Sequence, residues 1–255
     1  MIAFFLLAYV GVSISFVSRR QDKVVCSEVS VVIPDSPAHK FLGRRDVMSL
    51  LQAGGEKWIG EYMRNINTQV VESLVYRNPA VKEVKAFKTA GGKLKIEVTQ
   101  REPLLRVINR FGDNYYIDDA GEPMPWSSRF TARVLVANGN IPNRFDFSHH
   151  EMVNLFTDTS ATFKTLGDLA RLAHYISGHS FWEAHFEQAF VEEDGDIELI
   201  PRVGGHVIIL GNIDDMEEKF SNLKLLYEVG LPNMGWNNYS IINLKYRNQV
   251  VCTKK

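Results

Sequence analysis

The sequence contains little cysteine, no excess of charge and few of the motifs that mark a ligand or a reaction. Its two cysteines, Cys26 and Cys252, stand near opposite ends of 255 residues and do not amount to a disulfide framework. The 29 basic and 30 acidic residues give a net charge of −1, which argues against a dedicated nucleic-acid-binding protein. We expect free thiols and no nucleic-acid partner.

Catalytic and metal-binding signatures are also missing. His174, His179 and His185 are five and six residues apart, so they do not share one helical face, and neither HExxH nor CxxC occurs. The glycine pairs form no phosphate-binding loop, and no GxSxG elbow is present. Asp118 and Asp119 precede Ala-Gly and are typical of a turn. These absences predict no metal, no cofactor, no small-molecule substrate and no catalysis.

Charge is also absent from residues 1–18, MIAFFLLAYVGVSISFVS. Eighteen helical residues span roughly 27 Å, close to the ~30 Å hydrocarbon core of a bilayer. A cleaved signal peptide would normally begin with a basic stretch, and a buried core helix would show more polar positions on one face. We therefore predict a single transmembrane anchor over residues 1–18, with those two readings as alternatives.

The orientation of this anchor is ambiguous. Arg19, Arg20 and Lys23 all follow the apolar run, and the positive-inside rule would then keep the remaining chain in the cytoplasm. A short basic tail encoded upstream of Met1 would reverse that expectation. We treat such a tail as a hypothesis, which an upstream in-frame start would support.

The segment after the anchor has the pattern of a small α+β domain. Residues 28–33 alternate like a half-buried strand, and residues 44–53 form an amphipathic helix that Gly54 ends. A second helix begins near Asn67 and ends before a proline. Residues 84–100 then read as a β-hairpin. The predicted order is strand, helix, helix, strand, strand, with both helices on one face of the sheet.

The rest of the chain reads as a second domain, built of short strands with frequent turns. A helix is predicted over residues 161–177, and another after Asp214 or Asp215 that Gly230 and Pro232 close. We assign residues 24–101 to the βααββ domain. Residues 102–255 are predicted to be a mainly antiparallel β domain with flanking helices.

The last apolar stretch, residues 241–251, is a candidate for an exposed sheet edge. Its β-branched residues are interrupted by Lys245 and Arg247, the kind of charge that limits unwanted strand pairing. An interior strand is an equally good reading of the same pattern, and residues 239–252 as a whole are predicted to be a strand or a hairpin. An edge strand would suit recognition of a partner by strand addition.

Several stretches, taken together and in order, resemble the bacterial cell-division family FtsQ, also called DivIB, in a form like that of Bacteroidetes. They are Asn78–Val81, Lys93–Leu105 with Arg101-Glu102-Pro103 at its centre, Tyr116–Gly121, Ile197–Gly211 and Tyr239–Val251. The resemblance spans nearly the whole chain. It implies that the βααββ unit is a POTRA-like domain that passes directly into the β domain.

The resemblance also implies a function. It points to a non-enzymatic single-pass protein of the inner membrane, with most of its chain on the periplasmic side, that recruits and bridges division proteins at the septum. In relatives the closing strands receive a strand from the FtsB protein, which pairs with FtsL. Carried over by position, the partner-binding residues are Tyr246, Asn248, Gln249, Val250 and Val251.

Two other functions are weighed against this one. A POTRA-bearing envelope chaperone or translocation component would usually carry several POTRA copies or a membrane barrel, and the sequence shows one copy and no series of membrane-strand segments. A secreted hydrolase, released by signal cleavage, is disfavoured by the missing catalytic motifs.

Overall fold

The computed structural model of the protein describes residues 23–34, 41–147 and 153–255. The chain divides into two compact units, Met1–Arg101 and Glu102–Lys255. Each unit has a hydrophobic core cluster of its own. The two cysteines are free thiols, as predicted.

The predicted transmembrane anchor, residues 1–18, lies outside the described residues. Within the part of the chain that the structure describes, no helix combines the length and the apolar character needed to cross a bilayer.

The first unit has the predicted βααββ order. A three-stranded sheet has β3 at its centre, with β1 parallel to it on one side and β2 antiparallel on the other. The elements are β1 (Glu28–Val32), α1 (Arg44–Ala53), α2 (Thr68–Tyr76), β2 (Val81–Lys88) and β3 (Lys93–Gln100). β1 and β3 can pair in parallel because the chain between them, which contains both helices and β2, is long enough for a crossover connection.

Local sequence explains the ends and the buried faces of these elements. The Asn67 side chain accepts a hydrogen bond of 3.0 Å from the backbone N–H of Gln69 and so caps α2, which ends at Tyr76, three residues before Pro79. The apolar residues that alternate along β3 are fully buried, and they are Leu94, Ile96 and Val98. The sheet therefore buries one face, as its period of two predicts.

The second unit is a nine-stranded sheet with helices on one face. The strands are β4 (Pro103–Ile108), β5 (Asn114–Asp118), β6 (Pro123–Pro125), β7 (Leu135–Gly139), β8 (Phe186–Val191), β9 (Ile197–Pro201), β10 (Val207–Gly211), β11 (Tyr239–Asn243) and β12 (Val251–Lys254). Their order across the sheet is β12-β11-β10-β9-β8-β7-β4-β5-β6. The helices are α3 (Lys164–Ser177), α4 (Ser180–His185), α5 (Met216–Leu225) and α6 (Leu231–Met234).

This sheet is mixed but mainly antiparallel, and its parallel pairs were not predicted. The pairs β4–β7, β7–β8 and β10–β11 are parallel, and the other five neighbouring pairs among the described strands are antiparallel. Two parallel pairs arise because helices fill the connections: α3 and α4 lie between β7 and β8, and α5 and α6 lie between β10 and β11. The sequence pattern of a strand does not show whether its neighbours run parallel or antiparallel to it.

Alternate residues of the strands form the core with the helices. Ile208 and Leu210 of β10 belong to the same buried cluster as Leu166 of α3 and Phe220 of α5. Residues between them, such as Ile209, point to the opposite face of the sheet. The helices thus cover one face only.

The helical segment after β10 differs from the prediction. Asp215 precedes α5 with φ +52° and makes no capping hydrogen bond through its side chain. The helical segment does not end at Gly230 and Pro232, because a π-helical turn, Leu226–Gly230, connects α5 directly to α6. Pro232 lies in the first turn of α6, where its missing N–H leaves no helical bond unmade.

Candidate partner-binding edge

The two ends of the nine-stranded sheet are built differently. At one end β6 is three residues long, and two of them, Pro123 and Pro125, have no backbone N–H to offer. At the other end lies β12, which contains no proline, and among the described residues no strand pairs with its outer side. Proline blocks strand pairing at an edge, so β12 is the end at which a strand can be added.

The register of β12 shows which of its backbone groups face outward. Lys255 N–H donates a hydrogen bond of 3.1 Å to the Asn238 carbonyl oxygen, and the pairing of Val251 with Asn243 closes the other end of the ladder. Backbone groups of alternate residues in a strand point to opposite sides. The N–H and C=O of Cys252 and Lys254 are therefore directed away from β11, toward the open side.

The segment between β11 and β12 is a turn, not a strand. Asn248 adopts φ +59°, and Gln249 N–H donates a hydrogen bond of 3.4 Å to the Tyr246 carbonyl oxygen. Of the two readings of residues 239–252, the hairpin is therefore confirmed and the single strand, which would have included Tyr246–Val251, is wrong. Of the predicted site residues only Val251 lies in a strand, as the first residue of β12. A left-handed residue interrupts a strand, and asparagine tolerates this conformation better than most residues do.

Contacts with the rest of the unit hold this turn in place. Leu244 is buried, and its N–H donates a hydrogen bond of 2.9 Å to the Ile209 carbonyl oxygen. The Lys245 ammonium pairs with the Asp196 carboxylate, which raises the pKa of Lys245 above its usual value. Asn248 N–H lies 3.3 Å from a Glu218 carboxylate oxygen on α5.

The predicted site residues present an exposed surface along this turn and the start of β12. Tyr246 is 52% exposed and Val251 is 41% exposed. Asn248 and Gln249 are also exposed, whereas Val250 packs partly against the core cluster. The structure thus brings all five predicted residues to one end of β12. The sequence interpretation did not include Cys252 and Lys254, whose outward backbone groups depend on the register and leave no sequence signal.

Comparison with protein families agrees with this architecture. A family model described as "FtsQ/DivIB, C-terminal related" matches residues 102–253, and one described as "POTRA-like domain" matches residues 24–99. The chain belongs to the FtsQ/DivIB-related family. No curated protein matches it significantly. The resemblance found in the sequence motifs is confirmed, and the βααββ unit is a POTRA-like domain.

Membership of the FtsQ/DivIB-related family sets the broad functional class. Proteins of the FtsQ/DivIB family are non-enzymatic, septal and membrane-associated, and they act with other division proteins. Family membership therefore suggests that this chain is a cell-division scaffold. In the three described ranges, no group of three His, Cys, Asp or Glu side chains is placed to hold a metal ion.

The FtsQ/DivIB-related unit also contains two histidines, His185 and His206, in an aromatic cluster. His206 Nε2 lies 2.8 Å from the Tyr227 hydroxyl, and the rings of His185 and Tyr227 are 4.7 Å apart. The buried nitrogens His185 Nε2 and His206 Nδ1 have no hydrogen-bond partner within the described structure. Burial lowers the pKa of both histidines, with smaller effects from His206 on His185 and from Lys255 on His206. Both are therefore neutral at pH 7.

This pair predicts a loss of stability in mild acid. A buried histidine with a lowered pKa binds fewer protons when folded than when unfolded, so stability falls as the pH drops below about 6.5 and continues to fall until the folded pKa is passed. Replacing His206 with Gln should flatten this dependence, whereas His174→Gln, at an exposed position, should leave it unchanged. The effect is measured as the change in the unfolding temperature of the three proteins between pH 8 and pH 5. An equal change in all three would contradict the prediction.

Proposed function

We propose that this chain is a non-enzymatic scaffold of the bacterial divisome that binds a partner strand along the outer side of β12. The contrast between the two sheet ends carries the proposal, because β6 is closed by prolines and β12 presents outward N–H and C=O groups at Cys252 and Lys254. Strand addition obtains its affinity from such main-chain groups. The family supports a role among division proteins.

The proposed partner is an FtsB-like protein paired with an FtsL-like protein. Its strand would run beside β12, and the end of that strand would contact the exposed turn through Tyr246, Asn248, Gln249, Val250 and Val251. The tyrosine is the anchor that we expect to matter most, because exposed aromatic side chains at an interface bury a large area with few rotatable bonds. The remaining side chains of the turn supply polar contacts around it.

Residues 1–18 are proposed to tether this scaffold to the inner membrane, with residues 24–101 and 102–255 as two periplasmic domains. The septal, membrane-associated character of the family supports this arrangement. A fluorescent fusion separates division from envelope transport: a ring at the septum is expected, whereas a uniform envelope signal would favour the chaperone alternative.

A proline substitution tests the binding edge directly. Cys252→Pro removes an N–H that faces the open side and leaves the ladder to β11 intact, so the chain should fold but bind the FtsB–FtsL pair at least about tenfold more weakly. Cys252→Val is the matched control, since it keeps the N–H and is expected to bind within about twofold of the parent. Affinity is measured by titrating the purified pair against the full-length chain.

The turn is tested by a second substitution. Tyr246→Ala leaves the backbone of β12 unchanged and should weaken binding by about tenfold, as loss of an aromatic anchor does. Hydrogen exchange of the β11 amides verifies that each variant is folded. If folded Cys252→Pro binds the pair as tightly as the Cys252→Val control, β12 is not the binding edge.

A further inference from the structure

The face of the nine-stranded sheet opposite α3 and α5 has its own apolar surface. Five side chains define what we call the open face: Phe190 on β8, Ile200 on β9, Val207 and Ile209 on β10, and Ile241 on β11. All five are half-buried, and none belongs to the core cluster that joins the helices to the sheet or packs against it. They alternate with residues that do, so they point away from the helices.

The strand registers make the open face continuous. Val207 is directly opposite Ile241, and Ile209 is opposite Glu198, which in turn is opposite Phe190. Directly opposite residues in a sheet have neighbouring side chains. Strands β8 to β11 are about 14 Å wide from first to fourth, and an α-helix with its side chains is about 10–12 Å in diameter. The surface is therefore wide enough for one docked helix.

Charge at the end of this surface indicates what kind of helix fits. A shallow cleft of about 470 Å³ begins at Ile209 and is lined by five carboxylates and one ammonium group. The carboxylates are Glu192, Glu193, Asp194, Asp196 and Glu198, and the ammonium group of Lys245 is paired with Asp196. Burial raises the pKa of Glu198, and the neighbouring acids raise it further, which agrees with an excess of negative charge here.

We propose that the open face is a docking surface for an amphipathic helix of a partner protein, with an apolar stripe on Val207, Ile209 and Ile241 and with Lys or Arg residues beside the acidic cleft. Charge complementarity determines the choice of a basic partner over an acidic one. The last strand of this surface is β12, where Thr253 lies opposite Ile241 and Val251 lies opposite Asn243. It is nevertheless a different surface from the outer edge of β12, and the inference does not depend on strand addition.

A defined peptide probes this surface. The probe is a labelled 18-residue helix with Leu at i, i+3, i+4 and i+7 spacing and Lys elsewhere, and the control peptide carries Glu in place of Lys. The full chain is held in zwitterionic nanodiscs, and the signal of empty nanodiscs is subtracted. We expect the Lys peptide to bind at least about tenfold more tightly than the Glu peptide, with a preference that weakens at high salt.

Two matched substitutions locate the binding. Ile209→Lys places a charge in the open face and should weaken binding of the Lys peptide at least about tenfold. Leu225→Lys adds the same charge at an exposed position on α5 and should change it by less than about twofold. Should Ile209→Lys fail to fold, the triple variant Glu192→Gln, Glu193→Gln and Asp194→Asn, confined to an exposed or half-exposed loop, should remove the salt-dependent part of the affinity.

Several results would overturn this inference. They are equal binding of the two peptides, absence of binding, equal effects of Ile209→Lys and Leu225→Lys, and self-association of the chain that Ile209→Lys abolishes, which would make a second copy the occupant. Cys252→Pro should still bind the Lys peptide. Failure of the strand-addition proposal and failure of this one are therefore distinguishable.

Discussion

Gly139→Ala should destabilise the second unit by about 3 kcal/mol or more. Gly139 ends β7 with φ +97°, which costs an alanine roughly 1–2 kcal/mol. A Cβ at this position would also lie 2.3 Å from the Val191 carbonyl oxygen and 2.8 Å from the Val191 nitrogen on the neighbouring β8. Backbone atoms of a central strand cannot move aside as a flexible side chain can, so overpacking adds about 1–3 kcal/mol.

Gly112→Ala separates the two causes. Gly112 has a similar φ of +86°, but a Cβ there would meet no atom within 4 Å. Its substitution should therefore cost only the conformational part, roughly 1–2 kcal/mol. Hydrogen exchange of the β7 and β8 amides, followed by mass spectrometry, reports the free energy of opening for this unit alone. Equal losses in the two variants would show that the contact with Val191 contributes nothing.

Trp182→Ala should cost a comparable amount, about 3–5 kcal/mol. Trp182 on α4 is 4% exposed, and its ring centroid lies 5.6 Å from that of Phe186, 5.1 Å from that of Phe220 and 6.3 Å from that of Tyr227. These partners belong to β8, α5 and the π-helical turn. Removing the indole leaves a cavity where three elements meet, and such a site cannot collapse without moving at least one of them.

Trp126→Ala is the matched control. Trp126 is 43% exposed, and surface substitutions of this kind usually change stability by no more than about 0.5 kcal/mol. Hydrogen exchange of the α5 and β11 amides provides the comparison. A loss of less than about 1 kcal/mol in Trp182→Ala would contradict the role assigned to the indole.

The βααββ unit could be predicted almost completely from its sequence. The buried alternation along β3 and the capping residue Asn67 are local signals, and each specifies one element without reference to the rest of the chain. The order of the elements was predicted, but the parallel direction of the β1–β3 pair was not. Local patterns therefore sufficed to predict the elements of this unit and their order.

The second unit was less predictable, because its distinctive features depend on which elements meet. Side chains point to alternate faces in parallel and in antiparallel strands, so the parallel pairs of β7 could not be read from its residues. Pro232 is equally compatible with the end of one helix and the first turn of the next. The periodicity of α5 likewise carries no sign of the π-helical turn that follows.

The candidate site shows the same division. Its location at the end of the chain followed from motifs, and a hairpin was one of the two readings of residues 239–252. The positions of the two strands and of the turn between them did not follow from the sequence. Apolar residues lie on both sides of the turn between β11 and β12. The turn itself depends on the left-handed conformation of Asn248 and on the contact of Asn248 with Glu218 of α5. Tertiary contacts of this kind override the β propensity of the neighbouring residues.

The unequal ends of the nine-stranded sheet bear on stoichiometry. A sheet that can be extended at both ends could bind two strands or link into a fibre of repeated chains. Here the prolines of β6 stop growth in one direction, so two chains cannot join β12 to β6 in a continuous ladder. One strand added at β12 would fill the remaining edge of this sheet, so we expect the nine-stranded sheet to bind one partner strand in each chain.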